Sequence, residues 1–423
     1  MSYKKLYTKY ATLVTSSSIE YLAGDPVLSN YKLTLTFLSL TVATAVSATA
    51  TTRYVNNDSA AGSTCPSQYT TIQAAVTASS SGDEVYVCNG IYNEQVTISM
   101  PLTLSGQSGA ELQPSNVTAP ITDFDSGQPI AAILAVTGTT GVVINDLIID
   151  GTNNGISGGC GTDLVGILVQ NANVTIYDST VRYVELSPSL FGCQQGLAIY
   201  AETASGLASS LTVEQTVVHD YDKNGITADD MGTTAILKAN YITGIGPTPL
   251  IAQNGIQIAY GATATITGNV VSGNVYSSCT VASEPCYSAE DVLVYQSSNV
   301  TVENNDLGLS QTAVDIDQDS NNCTVSGNRV SNTLVYDGIY LSGDNNTVSS
   351  NVITNSAESG VNIVGMGNTI KTNTIIEAAV GILNSSGSGS TLTANKFYGV
   401  PATLQNDATG VPVHPTARAN PFH

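Results

Sequence analysis

Three features of the 423-residue sequence predict an all-β chain wound as a single-stranded parallel β-helix. One phrase recurs about every 22 residues, a second apolar phrase lies between its copies, and the composition is poor in charge. Charged residues make up 11%, there are 38 glycines, and Trp is absent. That profile favours strands and turns over helices.

The first phrase is Thr, an apolar residue, two variable residues, Asn, one variable residue, then Val or Ile. It reads Thr265 to Val271, Thr324 to Val330, Thr347 to Ile353 and Thr369 to Ile375, with a Leu variant from Thr301 to Leu307 and a last partial copy from Thr391 to Asn395. From Asn328 the asparagines stand 23, 22 and 22 residues apart; Asn240, Asn269 and Asn305 are 29 and 36 apart, so earlier turns carry insertions. The second phrase is Gly, apolar, variable, apolar, as at Gly166, Gly196, Gly225, Gly255, Gly338 and Gly360. Asp291 and Ala313 take the same place without glycine.

Two or three short strands per repeat, joined at Gly and Asn corners, cannot each bury an apolar face alone. Wrapped as coils and stacked, each strand pairs in parallel with its equivalent in the next coil, and the apolar residues line a shared interior. An Asn recurring at one corner should form a ladder, bonding backbone groups that the bend leaves unpaired. A sandwich would need hairpins, which a fixed period of this length does not predict.

The ends of such a stack need cover. Thr71 to Ala78 reads as a short amphipathic capping helix with Ile72, Ala75 and Val76 on one face. The strand-like runs Gly82 to Val87, Gly90 to Ile98 and Leu102 to Leu104 follow it, and the proline-rich tail after Tyr398 should cover the other end irregularly. The run from Thr71 through Gly82-Asp83, Val85-Tyr86-Val87 and Gly90 to Val96 resembles the opening of pectate-lyase-like right-handed β-helix proteins. The downstream phrases resemble the parallel β-helix repeat family, and together the resemblance spans roughly residues 65–400. It implies a right-handed helix and leaves function open, because that fold hosts lyases, hydrolases, esterases, epimerases and non-catalytic proteins.

The expected organisation is an N-terminal extension (1–31), a signal peptide (32–50), a cap with the first coils (51–105), the β-helix proper (106–397) and a C-terminal tail (398–423). Lys32 precedes the apolar run Leu33 to Val42, and Ala48-Thr49-Ala50 supplies an A-x-A cleavage pattern. The run is too short and Thr-rich for a membrane span. No Met lies between Met1 and Met100, which makes Val27 or Leu28 a candidate start. All seven cysteines follow the cleavage pattern, as an extracellular or periplasmic location would favour. Cys65, Cys88, Cys160, Cys193, Cys279 and Cys286 are disulfide candidates of open connectivity, and Cys323 is the odd one, placed inward.

Lys and Arg number 12 against 33 Asp and Glu. Without residues 1–50, eight basic and 31 acidic residues remain, a net −23. A nucleic-acid partner is disfavoured, since phosphate binding needs a basic footprint. A polyuronate would be repelled unless a divalent cation bridged it.

Insertions at 150–165, 185–195, 243–254 and 273–290 should rise from one corner and wall a groove. Facing it, two and four residues after each glycine position, stand Ala198 and Tyr200, Thr227 and Asp229, Gln257 and Ala259, Leu293 and Tyr295, Asp315 and Asp317, Tyr340 and Ser342. Of these, Tyr200, Gln257, Tyr295, Asp315, Asp317 and Tyr340 are the candidate substrate contacts, with tyrosines to stack on sugar rings and carboxylates to accept from hydroxyls. The coil from His219 to Asp230 is richest in chemistry: adjacent Asp229 and Asp230 could split into acid and base, with His219 or Lys223 moving a proton. The plain alternative is a polar corner loop with solvated charges. Asp315 and Asp317, roughly 6–7 Å apart on one strand face, are candidate Ca²⁺ ligands and lie near the lower limit for an inverting glycosidase pair; a solvated acidic strand is the competing view.

Known enzyme patterns fit poorly. Asp229-Asp230 echoes a polygalacturonase-like paired Asp, but no Gly-His-Gly follows; the motifs of a pectin-methylesterase-like site are missing. Arg182 and Arg329, the arginines of the repeat body, sit in no acidic cluster of pectate-lyase type. Two readings compete: a secreted protein that recognises, and cleaves or modifies, a polysaccharide or cell-surface glycan with no required cofactor, or a non-catalytic surface-interaction protein. A third, an accessory protein resembling the β-helix factors of periplasmic metalloenzyme assembly, lacks a Met, His or Cys metal cluster.

Overall fold

Alternation of apolar and polar residues in strands of three to nine residues builds three sheets in the computed structural model, which describes residues 50–57, 65–278 and 287–406. The first sheet holds 13 strands, from Thr52–Val55 to Thr391–Thr393; the second holds 12, from Gly90–Tyr92 to Lys396–Tyr398. The third holds 13, from Val96–Ile98 to Ala402–Asn406. Pairing between coils is parallel throughout; the antiparallel exception is Ile121–Thr122 against the start of Pro129–Thr137. The strand Ala402–Asn406 pairs with Val380–Asn384, so the tail expected to be irregular adds a regular strand.

The register turns the repeat into an interior column. Ile144, Ile176, Val213, Leu237, Ile266, Val302, Val325, Val348 and Ile370 stand in line down the first sheet, all fully buried. The asparagine ladder runs from Asn240 to Asn395. Asn328 is typical: its Nδ2 donates to Val302 O at 2.9 Å and to Asn351 Oδ1 at 3.0 Å, and its N–H donates to the same Oδ1 at 2.8 Å. The corner thereby satisfies backbone carbonyls that the bend would strand.

The helix Ile72–Ala78 buries Ile72, Ala75 and Val76. Thr71 caps it, and the Glu94 carboxylate accepts from the N–H groups of Ile72 (2.7 Å) and Gln73 (2.9 Å), which have no partner within the helix. Disulfides join Cys65 to Cys88 and Cys160 to Cys193, and Cys323 is free and buried. Cys279 and Cys286, and the expected extension and signal peptide (1–31, 32–50), lie outside the described residues apart from Ala50. Among the described residues no helix is long and apolar enough to cross a membrane.

Candidate functional site

Several outward positions of the third sheet are polar, where a solenoid strand needs no apolar side chain. Three columns run across its coils. The first contains Leu197, Asn224, Asn254, Glu290 and Thr312; the second, Tyr200, Thr227, Gln257, Leu293, Asp315 and Tyr340; the third begins Glu202 and Asp229 and passes through Ala259 to Tyr295. One expected position moves. Leu197 pairs with Asn224 and Ile199 with Ile226, so Ala198, not Gly196, takes the glycine place of this coil. Tyr200 therefore lies beside Thr227, and Glu202, overlooked in the sequence, lies beside Asp229.

The expected open groove is partly closed. Tyr200, Gln257, Asp315, Asp317 and Tyr340 are buried, and Tyr295 is half-buried. Tyr200 lies under the segment 121–128: its hydroxyl donates to Asp123 Oδ2 at 2.9 Å, and Ile121 packs on the apolar cluster around it. Phe124 N donates to Glu202 Oε2 at 3.1 Å, and Gln170 Nε2 donates to Glu202 Oε1 at 2.7 Å. Among the described residues, 151–162, 185–196 and 249–253 each join a second-sheet strand to a third-sheet strand; residues 279–286, within the insertion expected at 273–290, lie outside the described residues.

The outer edge of these coils gathers the acids. Asp229 ends the strand Asn224–Asp229, and Asp230 follows in the left-handed region (φ 73°), a conformation that Asp tolerates. The N–H of Asp230 donates to Asp229 Oδ1 at 3.0 Å. Burial first, then the charge and hydrogen bond of Asp125, push the Asp230 carboxyl up to about 8. Burial, then Asp230, raises Asp229 well above the carboxylate range. Burial and Asp123 lift Glu202 to about 7. Asp125 is exposed, so this cluster opens to solvent there. Tyr260 adjoins it: burial and then Asp229 raise its hydroxyl, and its ring meets Tyr295 edge-on with centroids 5.6 Å apart.

His219 is not part of this cluster. It lies in the second sheet, in register with Arg182 and Thr243, and its Nδ1 is 2.6 Å from Asp220 Oδ2. A corner and the full strand Asn224–Asp229, about 16 Å long at strand rise, separate it from Asp229. Read along the chain the two seem neighbours; the winding sends them to different sheets.

A second acid group is buried farther along. Asp315 is fully buried, and among the described residues neither of its oxygens has a hydrogen-bond partner. Burial, then Asp317, Glu290 and Asp337, raise its carboxyl well above the carboxylate range. Glu290 and Asp337 were not legible as site residues. Asp337 accepts from Ser359 Oγ at 2.6 Å and Asn362 Nδ2 at 3.0 Å, while Lys223, depressed to about 8 by burial, donates to Ala252 O at 2.8 Å. Among the described residues no three His, Cys, Asp or Glu, Asp315 and Asp317 included, form a group that could hold a metal ion.

Residues 252–410 match the family model described as "Periplasmic copper-binding protein (NosD)". No curated protein matches the sequence. Among solved structures, the GH136 lacto-N-biosidase from Eubacterium ramulus is 12% identical, with 84% of this chain and 68% of that chain covered and a TM-score of 0.52. PfbA, a surface adhesin of Streptococcus pneumoniae, is 16% identical over 79% of this chain and 85% of its own, TM-score 0.51. DFA-IIIase from Arthrobacter chlorophenolicus A6 is 14% identical over 74% and 83%, TM-score 0.50. These likenesses concern the fold. Among the described residues no three His, Cys, Asp or Glu form a group that could hold a metal ion; His219 is their one histidine, four of their cysteines form disulfides, and Cys323 is buried. The winding, the parallel register and the shared architecture make this chain a right-handed parallel β-helix protein.

Proposed function

We propose that this protein, exported to an oxidising compartment outside the cytoplasm, recognises an extracellular polysaccharide at the outer edge of the third sheet and cleaves or modifies it. The observation that carries the reading is the Asp125–Asp230 carboxyl pair beside the Tyr260–Tyr295 edge. Asp230, near 8, holds its proton at neutral pH and can give it to a glycosidic oxygen, while its exposed neighbour Asp125 faces the solvent side from which a chain would approach. Half-buried tyrosine rings offer an apolar face to a sugar, and Asp123 and Glu202 offer acceptors behind it. The acidic balance, −21 over the whole chain, favours neutral over anionic glycans.

The test is product release by the purified protein on neutral and acidic polysaccharides, with calcium or with chelator, beside Asp229→Asn and Asp230→Asn. The reading expects turnover on a neutral glycan that falls by at least about 100-fold in Asp230→Asn, the range for losing a general acid. Unchanged turnover in that variant moves the chemistry elsewhere. Binding without turnover on any substrate leaves the non-catalytic surface-interaction reading in its place. The matched family description suggests copper handling as a second reading; metal analysis of the protein after incubation with Cu(I) and Cu(II) tests it, and stoichiometric retention would favour it.

A further inference from the structure

A separate cavity of about 690 Å³ opens on the second-sheet side, between the loop 151–157 and the segment 183–191. Its volume lies in the range of small-molecule sites. Its walls are fixed. The disulfide between Cys160 and Cys193 ties the two wall segments together just beyond the cavity. Asn154 Nδ2 donates to Gly151 O at 3.0 Å and across to Glu185 O at 2.7 Å, and Asn154 Oδ1 accepts from Ile156 N at 3.0 Å.

The lining combines rings with a carboxyl. Tyr183 and Phe191 contribute aromatic surface, Ile156 and Leu186 aliphatic surface, and Glu185 the acid. Among the described residues no basic group forms an ion pair with Glu185. Burial and then Asp220 lift its carboxyl to about 7, the behaviour of an acid without a counter-charge. Asp222, raised to about 7 by burial, adds a further acid next to it. The nearby cation, Arg182, is held by Asp150 at 2.7 Å and Glu111 at 3.2 Å and lies over the Tyr183 ring, 5.5 Å from its centroid. His219 is held by Asp220 and meets the same ring edge-on at 6.0 Å, so the surface of Tyr183 left for a ligand is the part that faces the cavity.

Tyr183 also occupies an expensive place. Its φ is 51°, in the left-handed region where a bulky side chain is strained. The same corner position in other coils is taken by Asp220, Gly273, Leu309, Asn332, Asn355 and Glu377, with φ of 53°, 80°, 54°, 57°, 57° and 57°. The corner accepts several residue types, and in this coil it places Tyr183 in the cavity wall.

We propose that this cavity binds a small organic cation, a protonated amine seated on the Glu185 carboxyl with its body against Tyr183 and Phe191. Aromatic faces beside an unpaired carboxyl in a strongly acidic protein suit an ammonium group. The site is distinct from the Asp125–Asp230 edge and stands whether or not that edge is catalytic.

Calorimetric titration of the full chain at pH 8 with benzylamine, and with benzyl alcohol as its uncharged match, tests this. Benzylamine should bind with a dissociation constant of roughly 1 mM or below, and the alcohol at least tenfold more weakly. Glu185→Gln and Tyr183→Asn should each weaken benzylamine by tenfold or more, while Tyr183→Asn, placing at this corner a residue that two later coils carry there, keeps or raises the melting temperature. Equal binding of the alcohol, unchanged affinity in either folded variant, or no binding of benzylamine would overturn the proposal.

Discussion

Asp230 is held by two facts of position: it follows the end of a strand in the left-handed region, and Asp125, more than a hundred residues earlier, lies close enough to raise its carboxyl. The adjacent acids Asp229 and Asp230 are legible in the sequence as a pair. Asp125 is not, because only the arch of 121–128 across the coils brings it there. If Asp230 is the proton donor, turnover should be carried by its protonated form, hold through neutral pH, and fall about tenfold per unit once pH passes roughly 8. A pH–rate profile that instead rises above pH 8 would assign the chemistry to a base. The buried acids also set stability. Asp163, Glu202, Asp222 and Glu290 each sit near 7 in the folded chain, raised first of all by burial. Their unfolded values lie near 4. The folded state binds more protons between these limits, so their contribution is complete below about pH 4 and is lost as pH rises through about 7. Melting temperature should thus be higher at pH 5 than at pH 8, measured at constant ionic strength; a higher value at pH 8 would contradict the assignment.

At the scale of elements, the asparagine ladder and the interior columns follow from the repeat because each is a local rule applied coil after coil. Asn328 accepts from both the N–H and the Nδ2 of Asn305, at 2.9 Å each. Asn328→Ala should cost roughly 1–3 kcal/mol by stranding these buried donors. The same change at Asn395, the half-buried last rung, should cost less. Urea unfolding of the two variants checks the order. The elements that escaped sequence reading are those the rule does not govern. Gly196 mimics the glycine place but has φ of 92° and serves a turn, which displaced Tyr200 by one column. The segment 121–128 belongs to no repeat, so nothing in the period announced that it would lie over the third sheet and bury Tyr200. His219 was joined to Asp229 for the converse reason: nearness along a solenoid is not nearness in space when a corner intervenes.

At the scale of the molecule, the described coils form a stack whose fold is fixed by many equivalent contacts, and the proposed site rests on a few exceptions to them. This is why architecture was legible and the site only in part. Repetition averages over coils and declares the fold; the exceptions, such as Asp125 near Asp230 or the cavity beside Glu185, depend on which coils carry insertions and how those insertions lie. The account stands on the outer edge of the third sheet being where a glycan is held. A crystal structure of the Asp230→Asn variant soaked with oligosaccharides of the glycan it binds tests that most directly. The account predicts a sugar ring against Tyr260 and Tyr295, with a glycosidic oxygen within hydrogen-bond reach of residue 230; a sugar bound on another face, with this edge empty, would contradict it.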